Sequence, residues 1–522
     1  GNPYDTVELI NALRRDGVLT LGERGWSWDD EAIRRHIGSD EVIDLLRDRI
    51  DALPASSREV LAALSHLGGA VPLPRIAAAV GRPAAAVLRD IAPALEDNLL
   101  VVDQEHLRFR HDRVQQAAHE GVPAEARDEL RLAMARRLAA AGYDTDAAEQ
   151  YLTALDGVSD ADERRQAARL FQVAATQAMN VTNYRVAERF LSAEADVIDS
   201  LASVPEDLSL IALDSARHAV LYGLNRLDEA DQPYESFLRR GPDPVQLAAT
   251  VALQINSLTN RGRAAEAITI GVDALAALGF SGPPDDLAAE IGRRIGEVYA
   301  WIEQASVEED LARPEVTDPR VPAAALLLNR LGPPSYAVNP MLIPWTVLEG
   351  QRLWAEYGPC PALPALVGGA GMSFFGAPED FAVRARIVRH VMAVGEARGY
   401  QPATANAQMI YAQACEPWFE PGSHSVRDSQ QAHELLLRYG DALVACCTYI
   451  GSISGMIDCS PALDDVDVEA ESGEKMATRI GSDLYTGTYG TFRLVPQLLR
   501  GDSRPEFDED GYIAANMPIN AY

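Results

Sequence analysis

"PVQLAATVALQINSLTNRGRAAEAITIGVDALAALGF" runs from Pro244 to Phe280. Apolar residues recur at helical spacing on both sides of a short polar break. The stretch therefore reads as two helices, the first ending at Asn260, with the turn made at Gly262. The second helix carries Ala267, Gly271 and Ala274. Small residues at those spacings let two antiparallel helices lie close together.

A helical hairpin of this kind buries its apolar face by stacking on further copies, so the rest of the chain should contain them. The pattern is that of a degenerate tetratricopeptide repeat, with a period of roughly 34 residues. "ADERRQAARLFQVAATQAMNVTNYRVAERFLSAEADVIDSL", residues 161–201, is another pair. "PEDFAVRARIVRHVMAVGEARGY" (378–400) and "DDVDVEAESGEKMATRIG" (464–481) read as second helices of later pairs. From about residue 125 onward no stretch makes a convincing strand, and roughly seven pairs are expected. The expected fold class is mainly all-α. The proline-rich stretch with Pro314, Pro319, Pro322, Pro333, Pro334, Pro340 and Pro344 is expected to form irregular helix connections within the array. It holds too many large apolar residues to stay unfolded.

The N-terminal part differs. A helix is expected from Tyr4 to about Arg15, followed by a hairpin in "GVLTLGERGWSWDD", where Leu19 and Leu21 alternate on one strand and Trp26 and Trp28 on the other. Between residues 41 and 120 four helical segments come first. Two alternating strands, "LLVVD" and "HLRFRH", then meet at a tight Gln104-Glu105 turn. Helices followed by a hairpin give the order of a winged helix. Its third helix usually reads DNA. Here that helix offers Arg82 and Arg89 against Asp90, Glu96 and Asp97, too mixed a face for phosphates. The expected domains are 1–40, a helix with a β-hairpin; 41–122, a winged-helix-like domain; and 123–522, the repeat array.

The 522 residues suffice for two to four domains. The formal net charge of −31 opposes binding to nucleic acid or to anionic membrane. Lys475, in "SGEKMAT", is the single lysine, so no Gly-x-x-x-x-Gly-Lys-Ser/Thr loop exists to cradle a phosphate. The five cysteines, Cys360, Cys415, Cys446, Cys447 and Cys459, lie in apolar surroundings. They read as reduced core residues of a cytoplasmic protein. No apolar run long enough to span a bilayer is evident. The chain lacks an initiator methionine and is expected to be a piece of a longer protein.

No catalytic constellation emerges. The acidic group Asp464, Asp465, Asp467, Glu469, Glu471 and Glu474 lacks the glycine of a calcium loop and reads as a solvated helix face with acids at its start. The nine histidines form no metal-ligand spacing, "HELLL" at His433 reads as helix, and no Gly-x-Ser-x-Gly occurs. "GGAGMSFFG" from Gly368 misses the dinucleotide spacing and marks close helix packing.

"LRFRHDRVQQAAHEGVP", Leu107 to Pro123, places His111 and Asp112 where the last strand turns into a helix. One account is ordinary: Leu107, Phe109 and His111 share a strand face, Asp112 starts the helix and satisfies its first amides, and Val114 and Ala117 pack inward. The other rests on resemblance. "FRHDRVQQAA" resembles the Met-His-Asp motif that closes the winged helix of signal-transduction ATPases of the STAND class, with Arg110 in place of Met. "GNPYDTVELINAL" is similar to the Gly-x-Pro helix of the same ATPase module, although proline in the first turn of a helix explains it equally well. "DPRVPAAALLLNRLGPPSYAVNP" and "TNRGRAAEAITIGVDALAALG" look like the repeat region of large bacterial regulators. Those regulators join a serine/threonine kinase, an AAA-type ATPase module, such an array, and often GAF and histidine-kinase domains.

The resemblance covers nearly the whole chain and implies a nucleotide-state switch. His111 would touch the β-phosphate of ADP, Asp112 would fix the local turn, and Pro3 would contact adenine. The P-loop half of such a module is missing, so the chain could only complete a nucleotide site built elsewhere. ATP or ADP with Mg would belong to the parent protein, and the chain itself is expected to hold no cofactor, no metal and no catalytic residue. Its partners would be the upstream nucleotide-binding domain and kinase, and an unknown protein or small molecule on the array. The alternatives are the regulatory segment of a maltose-activator-like transcription regulator and a free-standing repeat scaffold.

Overall fold

The computed structural model describes residues 18–22, 25–29, 42–201, 208–373 and 380–501, with Ile10 and Arg14. Pro3 and most of the expected opening helix lie outside the described residues. The chain divides into two compact units, residues 1–226 and 227–522. Both are dominated by helices, and the small sheets lie in the first.

The first unit opens with the hairpin of β1 (Leu19–Gly22) and β2 (Gly25–Trp28), in the register that pairs Leu19 with Trp28 and Leu21 with Trp26. Next come α1 (Val42–Asp51), α2 (Ala55–Leu67), β3 (Val71–Pro72), α3 (Leu73–Val80), α4 (Ala84–Glu96), β4 (Leu100–Asp103), β5 (His106–Phe109) and α5 (Asp112–Glu120). The three strands form one antiparallel sheet in the order β3-β5-β4. Alternation explains its packing: Leu107 and Phe109 of β5 are buried while His106 and Arg108 are exposed. Leu46, Leu61, Leu64, Ile76, Val87, Ile91 and Val114 complete this core. The β4–β5 turn is unusual, because Gln104 and Glu105 both take left-handed φ, 46° and 67°.

Helical pairs follow: α6 (Ala124–Ala140) with α7 (Asp144–Ala154), α8 (Ala161–Asn180) with α9 (Tyr184–Ser200), and then α10 (Leu210–Gly223). Tyr151, Phe171 and Phe190 fill their core, and the two phenylalanine rings stack 6.2 Å apart.

The second unit begins with α11 (Leu227–Arg239), α12 (Pro244–Asn260) and α13 (Ala264–Ala277). Asp243 and Gln246 form a reciprocal capping box at the start of α12. Gly262 turns the chain at φ 72°, and Gly271 faces Ile255 and Leu331 so closely that an added Cβ would lie 2.6 Å from Leu331. The remaining helices are α14 (Leu287–Gln304), α15 (Val307–Ala312), α16 (Arg320–Val338), α17 (Leu342–Tyr357), α18 (Leu363–Gly368), α19 (Phe381–Arg398), α20 (Ala403–Ile410), α21 (Gly422–Arg438), α22 (Ala442–Cys459), α23 (Leu463–Ile480) and α24 (Asp483–Arg500). No strand occurs after residue 125 among the described residues.

Several expectations need correction. The proline-rich stretch is not irregular: α16 and α17 are long helices. Pro322 and Pro344 sit near their starts, where a missing N–H is harmless, and Pro333 and Pro334 lie inside α16. Residues 463–480 form the first helix of a pair, because Gly481 ends α23 in a left-handed conformation and α24 folds back along it. The cysteines divide: Cys360, Cys415 and Cys446 are buried, Cys447 is half-buried and Cys459 is exposed at the end of α22. Helix α22 is itself long and apolar enough to cross a membrane by length and composition. It packs between α21 and α23, and its Ala445, Cys446 and Ile453 belong to a buried core.

The acidic group of α23 is solvated at its start, at Asp464 and Asp465, but Asp467, Glu469, Glu471 and Glu474 are half-buried, and Glu469 accepts from Ser452 Oγ at 2.7 Å. Glu474 and Asp467 pair with Arg493, and Lys475 pairs with Glu471 one turn away, at 2.9 Å. Among the described residues no cluster of His, Cys, Asp or Glu is placed to hold a metal ion. Gly368 marks close packing as expected, because an added Cβ there would lie 2.9 Å from that of Ala407.

Candidate functional site

The joint after β5 positions the histidine. Arg110 N–H donates to the Leu99 carbonyl, closing the sheet, and His111 keeps an extended backbone at φ −151°. The next residue enters α5. The Arg113 backbone N–H donates to Nδ1 of His111 at 3.2 Å, so the imidazole itself caps the helix. This corrects the ordinary account, which gave that task to Asp112. Asp112 is the first helical residue, exposed, with its charge at the favourable end of the helix dipole. The cause is geometric: a cap must hold a non-helical backbone, and His111, one residue before the aspartate, is the last to keep one. Val114 and Ala117 pack inward, as expected.

The cap also fixes the ring's chemistry. A nitrogen that accepts a hydrogen bond carries no proton, so the neutral ring keeps its proton on Nε2. Half-buried His111 thus presents a defined tautomer. Pro3 lies outside the described residues, so the structure brings His111 and Asp112 together and is silent on the third.

Charge on the fourth helical segment is neutralised locally. Arg82, just ahead of that helix, is held by Glu59 and Asp90. Where α2 meets α5, the rings of His66 and His119 lie 4.7 Å apart. Burial lowers the pKa of both, and the charges of Arg127 and Arg131 act in the same direction.

Two hollows flank α9. One, of about 520 Å³, is lined from α7, the turn after it and α9, with Asp156, Glu188, Arg189 and Asp196 among its residues. The other, of about 320 Å³, lies between α8, α9 and α10. Glu194 borders it, wholly buried, and neither carboxylate oxygen has a hydrogen-bond partner. Burial raises its pKa to about 7. The sequence signal for it was an acidic residue on the apolar side of a helix, at the spacing of Ala187, Leu191 and Ile198.

The second unit has a buried polar cluster of a different kind. Asp310 accepts from Trp354 Nε1 at 2.7 Å and lies 2.8 Å from His390 Nε2. Burial raises the Asp310 pKa, but these hydrogen bonds and the nearby charges outweigh it and hold the carboxyl below its usual range. Every member has a partner, so the cluster reads as a structural tie between α15, α17 and α19.

No family model matches this chain, and no curated protein matches it. Among solved structures, it is similar to a signal transduction ATPase with numerous domains (STAND) carrying a tetratricopeptide repeat sensor, from Pyrococcus horikoshii. The identity is 11%, the TM-score is 0.45, and the match covers 98% of this chain and 72% of that one.

Proposed function

We propose that the chain is the regulatory, sensor and scaffold segment of a bacterial signal-transduction ATPase of the STAND class. The observation that carries this reading is the joint at His111. A compact helix–sheet module, read here as a winged helix, ends in a histidine whose tautomer is set by its own helix cap, and helical pairs follow at once. An Nε2–H donor at that position suits a phosphate oxygen supplied by a nucleotide-binding domain. The helical pairs would bind a protein or small molecule and bias the switch. ATP or ADP with Mg belongs to the parent's upstream domain, whose output would be an attached kinase. The segment itself is non-catalytic and works in the cytoplasm, away from nucleic acid and membrane.

The test uses His111→Ala and His111→Asn in the full-length parent. Asparagine is a good helix cap but does not reproduce the imidazole donor. A phosphate contact made only in the closed state predicts that both variants lose retained ADP and raise basal output. If His111→Asn retains ADP and regulates normally, the histidine is a cap and nothing more.

A further inference from the structure

Glu194 is the starting point. It sits on α9 at 0% exposure, with both carboxylate oxygens buried and unpartnered. A buried polar group without a partner is costly, and proteins retain few of them. Beside it lies the hollow of about 320 Å³ between α8, α9 and α10, a volume typical of small-ligand sites. The wall is mainly apolar, with Val173, Met179, Leu191 and Leu213, and Glu194 is the one ionisable residue among those lining it. On α10, next to the lining residues Leu213 and Ala216, Asp214 and His218 are buried and Arg217 is half-buried, and none of the three lines the hollow. Val173 and Thr176 are exposed at the rim, so the hollow communicates with solvent.

We propose that this hollow binds a small organic cation, an ammonium group on an apolar body, with Glu194 as its counter-ion. The carboxylate oxygens are buried, so the ligand reaches them when Glu194 rotates toward the hollow. The pairing relieves two mismatches together: an orphaned carboxyl gains a charged donor, and an apolar wall gains an apolar occupant. Anionic ligands are excluded, because the one ionisable group present is an acid. The inference gives the sensor reading above a ligand class and rests on that reading only for its regulatory meaning.

The site has a proton signature. Burial pushes the carboxyl up to about 7, so at pH 6 it is mostly protonated. Pairing with an ammonium ionises it, and one proton is released as the ligand binds.

The test is calorimetry on the full chain with 2-phenylethylammonium as probe and 2-phenylethanol as its neutral counterpart. The ammonium should bind at least ~10-fold more tightly than the alcohol, which is about 1.4 kcal/mol or more. Comparing buffers of different ionisation enthalpy at pH 6 should show proton release. Glu194→Gln keeps the shape and should weaken ammonium binding at least ~10-fold. Ala216→Phe obstructs the hollow from α10 while keeping Glu194 and should abolish it. The proposal is overturned if the ammonium does not bind wild type, if it binds both variants as well as wild type, or if no proton is released. These results are independent of nucleotide retention by the parent's His111 variants, so either reading can fall while the other stands.

Discussion

His111 and Glu194 show how much one side chain contributes through where its lone pairs go. In His111 a ring nitrogen satisfies a helix amide. Removing it in this chain by His111→Ala should cost about 1 kcal/mol in denaturant unfolding, and His111→Asn should recover most of that. A loss well above that range would mean the ring serves the core rather than the helix end. Glu194 behaves oppositely. Its folded-state pKa, about 7, lies above the ordinary carboxyl value, so the folded state holds a proton that the unfolded chain has already lost. Stability is therefore highest below about pH 4.5 as far as this group is concerned, and falls as pH rises toward 7. Relative to Glu194→Gln, wild type should lose about 3 kcal/mol between pH 4.5 and 7.5. Equal pH profiles for the two proteins would show that the carboxyl is not desolvated. The sequence revealed the first residue because strand alternation and helix periodicity meet there. It hid the second because an acid among apolar positions looks the same whether it turns out to solvent or is trapped.

At the level of elements, two contacts invite direct measurement. Gln104 and Glu105 hold left-handed backbones without glycine or asparagine, at a cost of about 1 kcal/mol or more each. The double change Gln104→Asn, Glu105→Gly installs the residues that such a hairpin turn favours and should raise the denaturant midpoint, by about 1 kcal/mol in stability. At the crossing of α21 and α22, a Cβ on Gly455 would lie 2.9 Å from the Gly422 carbonyl oxygen. Backbone cannot rotate aside as a side chain can, so Gly455→Ala should destabilise by about 1–3 kcal/mol. An unchanged midpoint would mean the helices separate freely. Helices were legible along most of the chain because period and stop signals agree, as at Asn260 and Gly262. Legibility failed at Pro333 and Pro334, where local propensity lost to the packing of α16. It failed again in pairing: α23 shows its own apolar face, but not whether its partner precedes or follows it. The span-length apolar helix α22 escaped notice because its serines, glycines and cysteines dilute the run.

At the scale of the whole molecule, charge dominates. A net charge of −31 surrounds a module whose Arg82 is already paired with Glu59 and Asp90. The chain should give no salt-sensitive shift with duplex DNA near ~1 µM at physiological salt, and a shift abolished by Arg82→Ala would overturn this. Isothermal calorimetry should likewise detect no micromolar ATP binding to the chain alone, since the lysine-bearing phosphate loop is missing from the sequence.

The solitary amine on α23 has a practical consequence. Lys475 is 71% exposed at its side chain, yet its peptide bond is locked inside a helix. A lysine-specific protease therefore has a single internal target and must wait for that helix to open. The yield of one cut becomes a stopwatch for local unfolding of the α23–α24 hairpin, read without any label or mutation.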